Sequence, residues 1–234
     1  YGIRWRQLCI RRDVLRGIFS VGLPSGIQQG ITGFSNVFVQ AYINGFGSAC
    51  MAGWSSYNKL DAFILIPVQS IALASTTFVG QNWGAKKLAR ARQGVRQTLT
   101  MSLAVTALLA LVLIFLARPL LELFGNDESM LEYGRRFILV ISPFYVTICF
   151  NQIYGGALRG IGCAKAPMII MLFSFVAFRQ LFLLANQLLG GSFVGVALAY
   201  PMGWVICSTL LALYYRRSPL CREQPAAALE TAGE

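Results

Sequence analysis

Three ionisable residues stand in otherwise apolar stretches of the sequence: Lys59, Asp61 and Arg179. Each costs on the order of 2.5–3.5 kcal/mol at the centre of a membrane-spanning helix, so such a residue is retained where it meets a partner or a water-filled path. Asp61 is the acid of this set, and its candidate partners are Lys59 and Arg179. Lys59 lies two residues away, on a different side of the same helix, which makes a pair between them awkward. Arg179 must come from another helix. A pair with Arg179 predicts that Asp61 stays ionised, because a guanidinium keeps its proton and can bind a carboxylate through two parallel hydrogen bonds. Such a pair could fix helix packing or line a transport path, and the residue types allow both.

Uncharged polar residues add a pattern to these charges. Gln29, Gly33, Asn36, Gln40 and Asn44 recur every three or four residues, which places them on one helical face. That face predicts a wall turned to a cavity or to another helix; amides at helix contacts also serve simply as interhelical glue. A second segment carries Asn58, Asp61 and, past Pro67, Gln69. Gln29, Asn36, Gln40, Asn58, Gln69 and Asn151 are the candidate cavity-lining residues. Pro24 and Pro67 fall inside apolar stretches, where each removes a backbone donor and can bend a helix, for function or for packing alone.

Other chemistries lack their residues. The chain has no histidine, which excludes imidazole mechanisms. It contains no HExxH, no phosphate-cradling glycine loop ending in Lys and Ser or Thr, and no GxSxG elbow, so no enzyme is expected. Its six cysteines form no CxxC pair and are scattered, so neither a disulfide framework nor a metal site is expected.

The elements that must position the charges are membrane helices. Of the 234 residues, 56% are hydrophobic and 12% charged, and mean hydropathy is +0.60; a soluble domain carries about 25% charged residues. That much apolar surface calls for lipid as the solvent. About 20 apolar residues span a bilayer, and six segments qualify: 14–44, 49–80, 95–117, 134–158, 166–189 and 193–215. The expected fold is an all-α, polytopic membrane helix bundle over 14–215. A basic, interfacial segment (1–13) precedes it, and a Pro- and Ala-rich tail (216–234), expected to be disordered, follows. The first residue is Tyr1, which reads as the start of a fragment.

The net charge of +11 does not point to nucleic acid, because the basic residues lie in short clusters between apolar runs. Fifteen of the twenty Lys and Arg fall before or at the start of the first span, between the second and third or at the start of the third, between the fourth and fifth, or after the sixth. The positive-inside rule then puts both termini in the cytoplasm of a multi-pass cell-membrane protein.

Specific segments resemble a known family. Val21-Gly22-Leu23-Pro24-Ser25, Asn44-Gly45-Phe46-Gly47, Asn58-Lys59-Leu60-Asp61, Phe78-Val79-Gly80-Gln81-Asn82-Trp83-Gly84-Ala85-Lys86, and Ala157-Leu158-Arg159-Gly160-Ile161-Gly162 with Pro167 occur in order. Together they resemble the C-terminal lobe of the MATE (multidrug and toxic compound extrusion) transporters over nearly all of 14–215. The resemblance implies one six-helix lobe of a twelve-helix transporter, with the N-terminal lobe as the missing partner. It also implies export of cationic or amphiphilic organic compounds against a proton or sodium gradient. No other cofactor is implied, and the coupling acid is expected in the missing lobe. One branch of the family carries an acid in the first helix of this lobe, and 14–44 has none; where relatives often have a Glu one turn before the arginine, this chain has Phe175. Two alternatives stay open: a lipid-linked oligosaccharide flippase of the same superfamily, and a membrane scaffold without transport.

Overall fold

The computed structural model describes residues 12–222, and every regular element among them is helical. In order they are α1 (Arg12–Asn44), α2 (Ser48–Gly84), α3 (Leu88–Phe115), α4 (Ala117–Glu122), α5 (Glu128–Ile141), α6 (Tyr145–Gly160), α7 (Lys165–Leu172), α8 (Arg179–Leu188), α9 (Phe193–Arg217) and α10 (Pro219–Arg222). A 3₁₀ turn, Ser142–Phe144, joins α5 to α6, and a π-helical segment, Phe173–Phe178, joins α7 to α8. Pro143 sits in the 3₁₀ turn, where its missing N–H and fixed φ interrupt the regular α-helical ladder.

Among the described residues five stretches are long and apolar enough to cross a membrane: Ser48–Gly84, Leu88–Phe115, Glu128–Gly160, Lys165–Leu188 and Phe193–Arg217. The sixth expected span is α1, an unbroken helix of 33 residues that continues through Pro24. At 1.5 Å per residue it is about 50 Å long, enough to span. It is absent from the five because its amides and glycines dilute its apolar residues.

α2 and α6 form the centre of the bundle. α2 packs on α3, α5 and α6, while α6 also packs on α3 and α9; α1 lies at the edge, against α7. The central crossing depends on small residues. A Cβ at Gly160 would lie 2.7 Å from the Thr76 carbonyl oxygen, and one at Gly80 would lie 3.1 Å from the Gly160 carbonyl oxygen. Gly80 and Gly160 belong to two of the motifs that carry the family resemblance, and their physical role here is close backbone approach. A similar approach joins α2 to α5, where a Cβ at Gly53 would lie 2.8 Å from Gly134 N. Around these contacts the core is aromatic: the Trp54 ring lies 4.8 Å from Phe137 and 5.3 Å from both Tyr57 and Tyr200.

One expected boundary moves. The tail does not begin as disorder at 216: α9 runs through Arg217, and the α10 residue Leu220 is fully buried. Leu220 packs with Val79, Ala91 and Val95, so this short helix covers the ends of α2 and α3. The expected interfacial segment lies largely outside the described residues, as does the rest of the tail.

Candidate functional site

α1, α2, α6, the α7–α8 span and α9 enclose a cavity of about 590 Å³. The helical period explains why it is polar. On α2 the lining residues are Trp54, Asn58, Asp61, Leu65 and Gln69, spaced by three or four; on α1 they include Gln29, Thr32, Asn36 and Gln40. The opposite faces of both helices carry exposed apolar side chains, among them Phe34 and Val37 on α1 and Phe63 and Ile66 on α2. The cavity is open along one side, where Gln29, Asn36, Asn58 and Gln69 are exposed.

All six cavity-lining candidates, Gln29, Asn36, Gln40, Asn58, Gln69 and Asn151, line this one cavity, together with Asp61 and Arg179. The three charges do not form the network expected of them. The ion pairs among the described residues are Arg118–Glu122, Arg118–Glu128 and Arg136–Glu132, and none includes Asp61, Lys59 or Arg179. Lys59 is exposed and away from the cavity; its ammonium lies 4.9 Å from the Phe124 ring. The reason is angular: Asp61 faces the cavity, and a residue two positions earlier on the helix does not share its face.

Asp61 is bound by two phenols instead. Tyr145 donates its O–H to Asp61 Oδ1 at 2.5 Å and Tyr57 donates to the same oxygen at 3.3 Å, while the two phenol oxygens lie 3.0 Å apart. Tyr57 stands one helical turn before Asp61 on α2 and Tyr145 begins α6, so the acid ties the two central helices together. The expectation that a neighbouring cation keeps Asp61 ionised therefore loses its premise.

Arg179 is also held by neutral groups. One of its terminal nitrogens donates to Ser35 Oγ and Asn36 Oδ1, each at 2.9 Å, and its guanidinium carbon lies 4.9 Å from the centre of the Tyr200 ring. Gln180 reinforces this corner, donating to Ser35 Oγ at 2.9 Å. The π-helical segment before Arg179 widens the turn, and both Phe175 and Arg179 end on the cavity wall. Ser35 Oγ donates in turn to the Phe175 carbonyl at 3.2 Å, one of the carbonyls of that irregular segment.

Several residues of the site escaped the sequence reading. Tyr57 had a signal, its four-residue spacing from Asp61. Tyr145 had none, since 84 residues separate it from Asp61. Arg159 reads in sequence as one more basic residue of a loop, yet it lies in the last turn of α6 and lines the cavity. Trp54, Tyr200 and Trp204 supply an aromatic wall that a search for polar residues passes over.

Known proteins share this architecture. The family model described as MatE matches residues 24–184. "Probable multidrug resistance protein YoeA" of Bacillus subtilis is 22% identical over 213 residues, covering 90% of this chain and 46% of that protein. A protein of Shewanella oneidensis named "FAD transporter" is 26% identical over 214 residues, again covering 90% of this chain and 46% of the relative. A solved structure described as "Crystal structure of MATE in complex with MaL6" superposes with a TM-score of 0.85 at 18% identity, over 98% of this chain and 50% of the other. The chain spans about half the length of the relatives it matches.

Proposed function

The chain belongs to the MatE family, and we propose that it forms the C-terminal half of a secondary active transporter that exports small amphiphilic organic compounds. The observation that carries this reading is the open cavity of about 590 Å³, with polar residues from α1 and α2 facing aromatic residues from α2 and α9. Pockets that take organic ligands combine such apolar walls with a few placed polar groups. The relatives are named as transporters or resistance proteins.

The coupling ion is proposed to be a proton or sodium. The family resemblance puts its acid in the other lobe, and Asp61, which makes no ion pair among the described residues, is a second candidate. Asp61, in this lobe, is the carboxylate that lines the cavity. In a two-lobe protein carrying this chain as its second half, dye efflux from cells or proteoliposomes tests the reading. Efflux should collapse with the ion gradient, and Asp61→Asn should remove its pH or sodium dependence while leaving folded protein. Gradient-independent efflux would overturn it.

Both termini are proposed to face the cytoplasm of the cell membrane, as the distribution of Lys and Arg requires. Thiol labelling from outside should then modify Gly125→Cys and spare Gly84→Cys in a background without other cysteines. The opposite pattern would invert the topology.

A second reading, a flippase for a lipid-linked pyrophosphate, is favoured by one observation: Arg159 and Arg179 both line the cavity and Asp61 is the acid beside them. Stimulated movement of a fluorescent lipid pyrophosphate across vesicles, without dye efflux, would favour it over drug export.

A further inference from the structure

The cavity contains polar atoms that the folded chain leaves unanswered. Arg179 is 4% exposed and Asn151 2%, yet Arg179 Nε and Asn151 Oδ1 are buried without a hydrogen-bond partner, as is Thr32 Oγ1. All three residues line the same cavity. Burying an unpaired polar group costs about 1–3 kcal/mol, so three of them around one space mark a place where a polar partner is missing. Arg159 adds a second cation. Its side chain lies beside Gly155 on the cavity wall, with no acceptor among the described residues.

The acid of the same cavity forms no ion pair with these cations among the described residues; Asp61 accepts from Tyr145 and Tyr57 instead. Nor does packing alone account for Arg179. A cation inside the membrane is costly, and Arg179 meets only neutral groups, Ser35, Asn36 and the Tyr200 ring. An anion in the cavity that it lines would supply the opposite charge.

From these observations we infer that the cavity holds an anion subsite at Arg179, extended by Arg159, and that the ligand is an aromatic amphiphile carrying a phosphate or carboxylate. The aromatic part follows from position. Tyr200 carries Arg179 on its face and packs 5.3 Å from the Trp54 ring, so a planar group attached to the anion meets the aromatic wall that these rings form. Arg159 extends the site along the wall. Met171, Phe175 and Arg179 line one side of the span, about 12 Å from end to end at 1.5 Å per residue, and Gly155, beside Arg159, abuts Met171. This inference rests on the exporter reading and narrows its substrate.

The test is a binding titration of the two-lobe protein in phosphatidylcholine discs, using riboflavin and flavin mononucleotide. These share one fluorescent ring and differ by a phosphate. Flavin mononucleotide should bind at least tenfold more tightly. Arg179→Gln should abolish that preference, bringing flavin mononucleotide affinity down to that of riboflavin. Because Arg179 also holds α1, Arg159→Gln is the second variant; the Arg159 side chain makes no hydrogen bond or ion pair among the described residues, and its loss should weaken the preference severalfold. Replacing part of the phosphatidylcholine with phosphatidylglycerol separates the sources of the anion: lost flavin mononucleotide affinity assigns the subsite to a lipid headgroup, and unchanged affinity to a soluble anion. Equal binding of the two flavins, or tighter binding of the cation ethidium, would overturn the inference, and gradient-driven ethidium efflux in that case would leave the exporter reading standing. Selective binding of flavin mononucleotide with no efflux of any probe would do the reverse.

Discussion

The charges at the α4–α5 end of the molecule and those in the cavity are held in opposite ways. At the α4–α5 end, Arg118 meets Glu122 at 3.0 Å and Glu128 at 3.1 Å, and Arg136 meets Glu132. All of these side chains are largely exposed, and acids and bases simply find one another. In the cavity, an acid and two arginines share one space, yet phenols hold the acid and a hydroxyl and an amide hold Arg179. Opposite charges left apart in a medium of low polarity can each meet an incoming charge, and a closed ion pair cannot. The difference separates charges that solvate a surface from charges kept available for binding.

The largest effect is expected where a neutral group holds a buried charge. Tyr145→Phe removes the shorter of the two phenol bonds to Asp61 and should lower unfolding free energy by about 1–2 kcal/mol, the upper range for an interhelical bond in a membrane protein. Adding Asp61→Asn should recover part of the loss, since residues in contact couple by about 0.5–3 kcal/mol. A double-mutant cycle of unfolding in detergent measures both. A neutral Tyr145→Phe would show that the phenol does not hold the acid, and the comparison would lose one side.

A smaller and opposite pair of effects should appear three residues apart on α1. Ser35 is fully engaged, accepting from Arg179 and Gln180 and donating to the Phe175 carbonyl. Ser35→Ala should therefore cost about 1 kcal/mol. Thr32 has a buried hydroxyl with no partner. Thr32→Val keeps its shape and removes the unpaired atom, so stability should stay level or rise by about 1 kcal/mol. Ligand affinity should fall severalfold in the same variant. Thermal unfolding with and without ligand separates the two; a Thr32→Val protein that is destabilised yet binds normally would make Thr32 an ordinary packing residue.

The contrast also marks what the sequence could reveal. Periodicity placed Gln29, Asn36 and Gln40 on one face of α1 and Asn58, Asp61 and Gln69 on one face of α2, because a helix fixes angle from spacing alone. It could not say which face of α2 meets Tyr145, since that depends on how α6 crosses α2. The crossing is set by contacts at Gly80 and Gly160, where glycines in two short motifs bring the backbones together. The pairing of Asp61 with Arg179 failed for a related reason. Opposite charges invite pairing on paper, but α1 lies against the α7–α8 span and presents Ser35 and Asn36 to Arg179. The length of α1 was legible and its membrane character was not, because residues that face a cavity count against hydropathy. Arg159 could not be told from a loop residue until its helix had a last turn.

At the α4–α5 end, the effects should depend on solution conditions rather than on ligand. Asp127 caps α5, accepting from Ser129 N at 2.8 Å and Met130 N at 3.1 Å. The Ser129 hydroxyl and these N–H groups hold its carboxyl below the usual carboxylate range. Its contribution to stability is therefore complete above the unfolded value, near pH 4, and is lost as pH falls through the lower folded value. Between pH 7 and 5 the melting temperature should not respond to this group; below about pH 4 it should decline. Asp127→Asn keeps an acceptor for the cap and should flatten that decline, while Asp127→Ala should lower the melting temperature at every pH. A decline unchanged in Asp127→Asn would assign the acid sensitivity to other carboxylates.

The smallest effect is expected from Arg118. It has more carboxylate partners than any cavity charge, and the nearer, Glu122, raises the affinity of its guanidinium for the proton. A count of contacts would rank it as the most important charge in the lobe. Exposure reverses that ranking, because 62% of the Arg118 side chain remains in solvent and water competes for every contact it makes. The Debye length is about 8 Å at physiological salt and shrinks further as salt is added. Arg118→Ala should therefore shift the melting temperature slightly at low ionic strength and not measurably in molar salt, with transport unchanged in both. The cavity variants should behave differently: the cost of Tyr145→Phe should persist in molar salt, because a hydrogen bond to a half-buried carboxylate is poorly screened. If Arg118→Ala lowered stability as much as Tyr145→Phe, and equally in high salt, the distinction between charges that solvate and charges kept available would not hold.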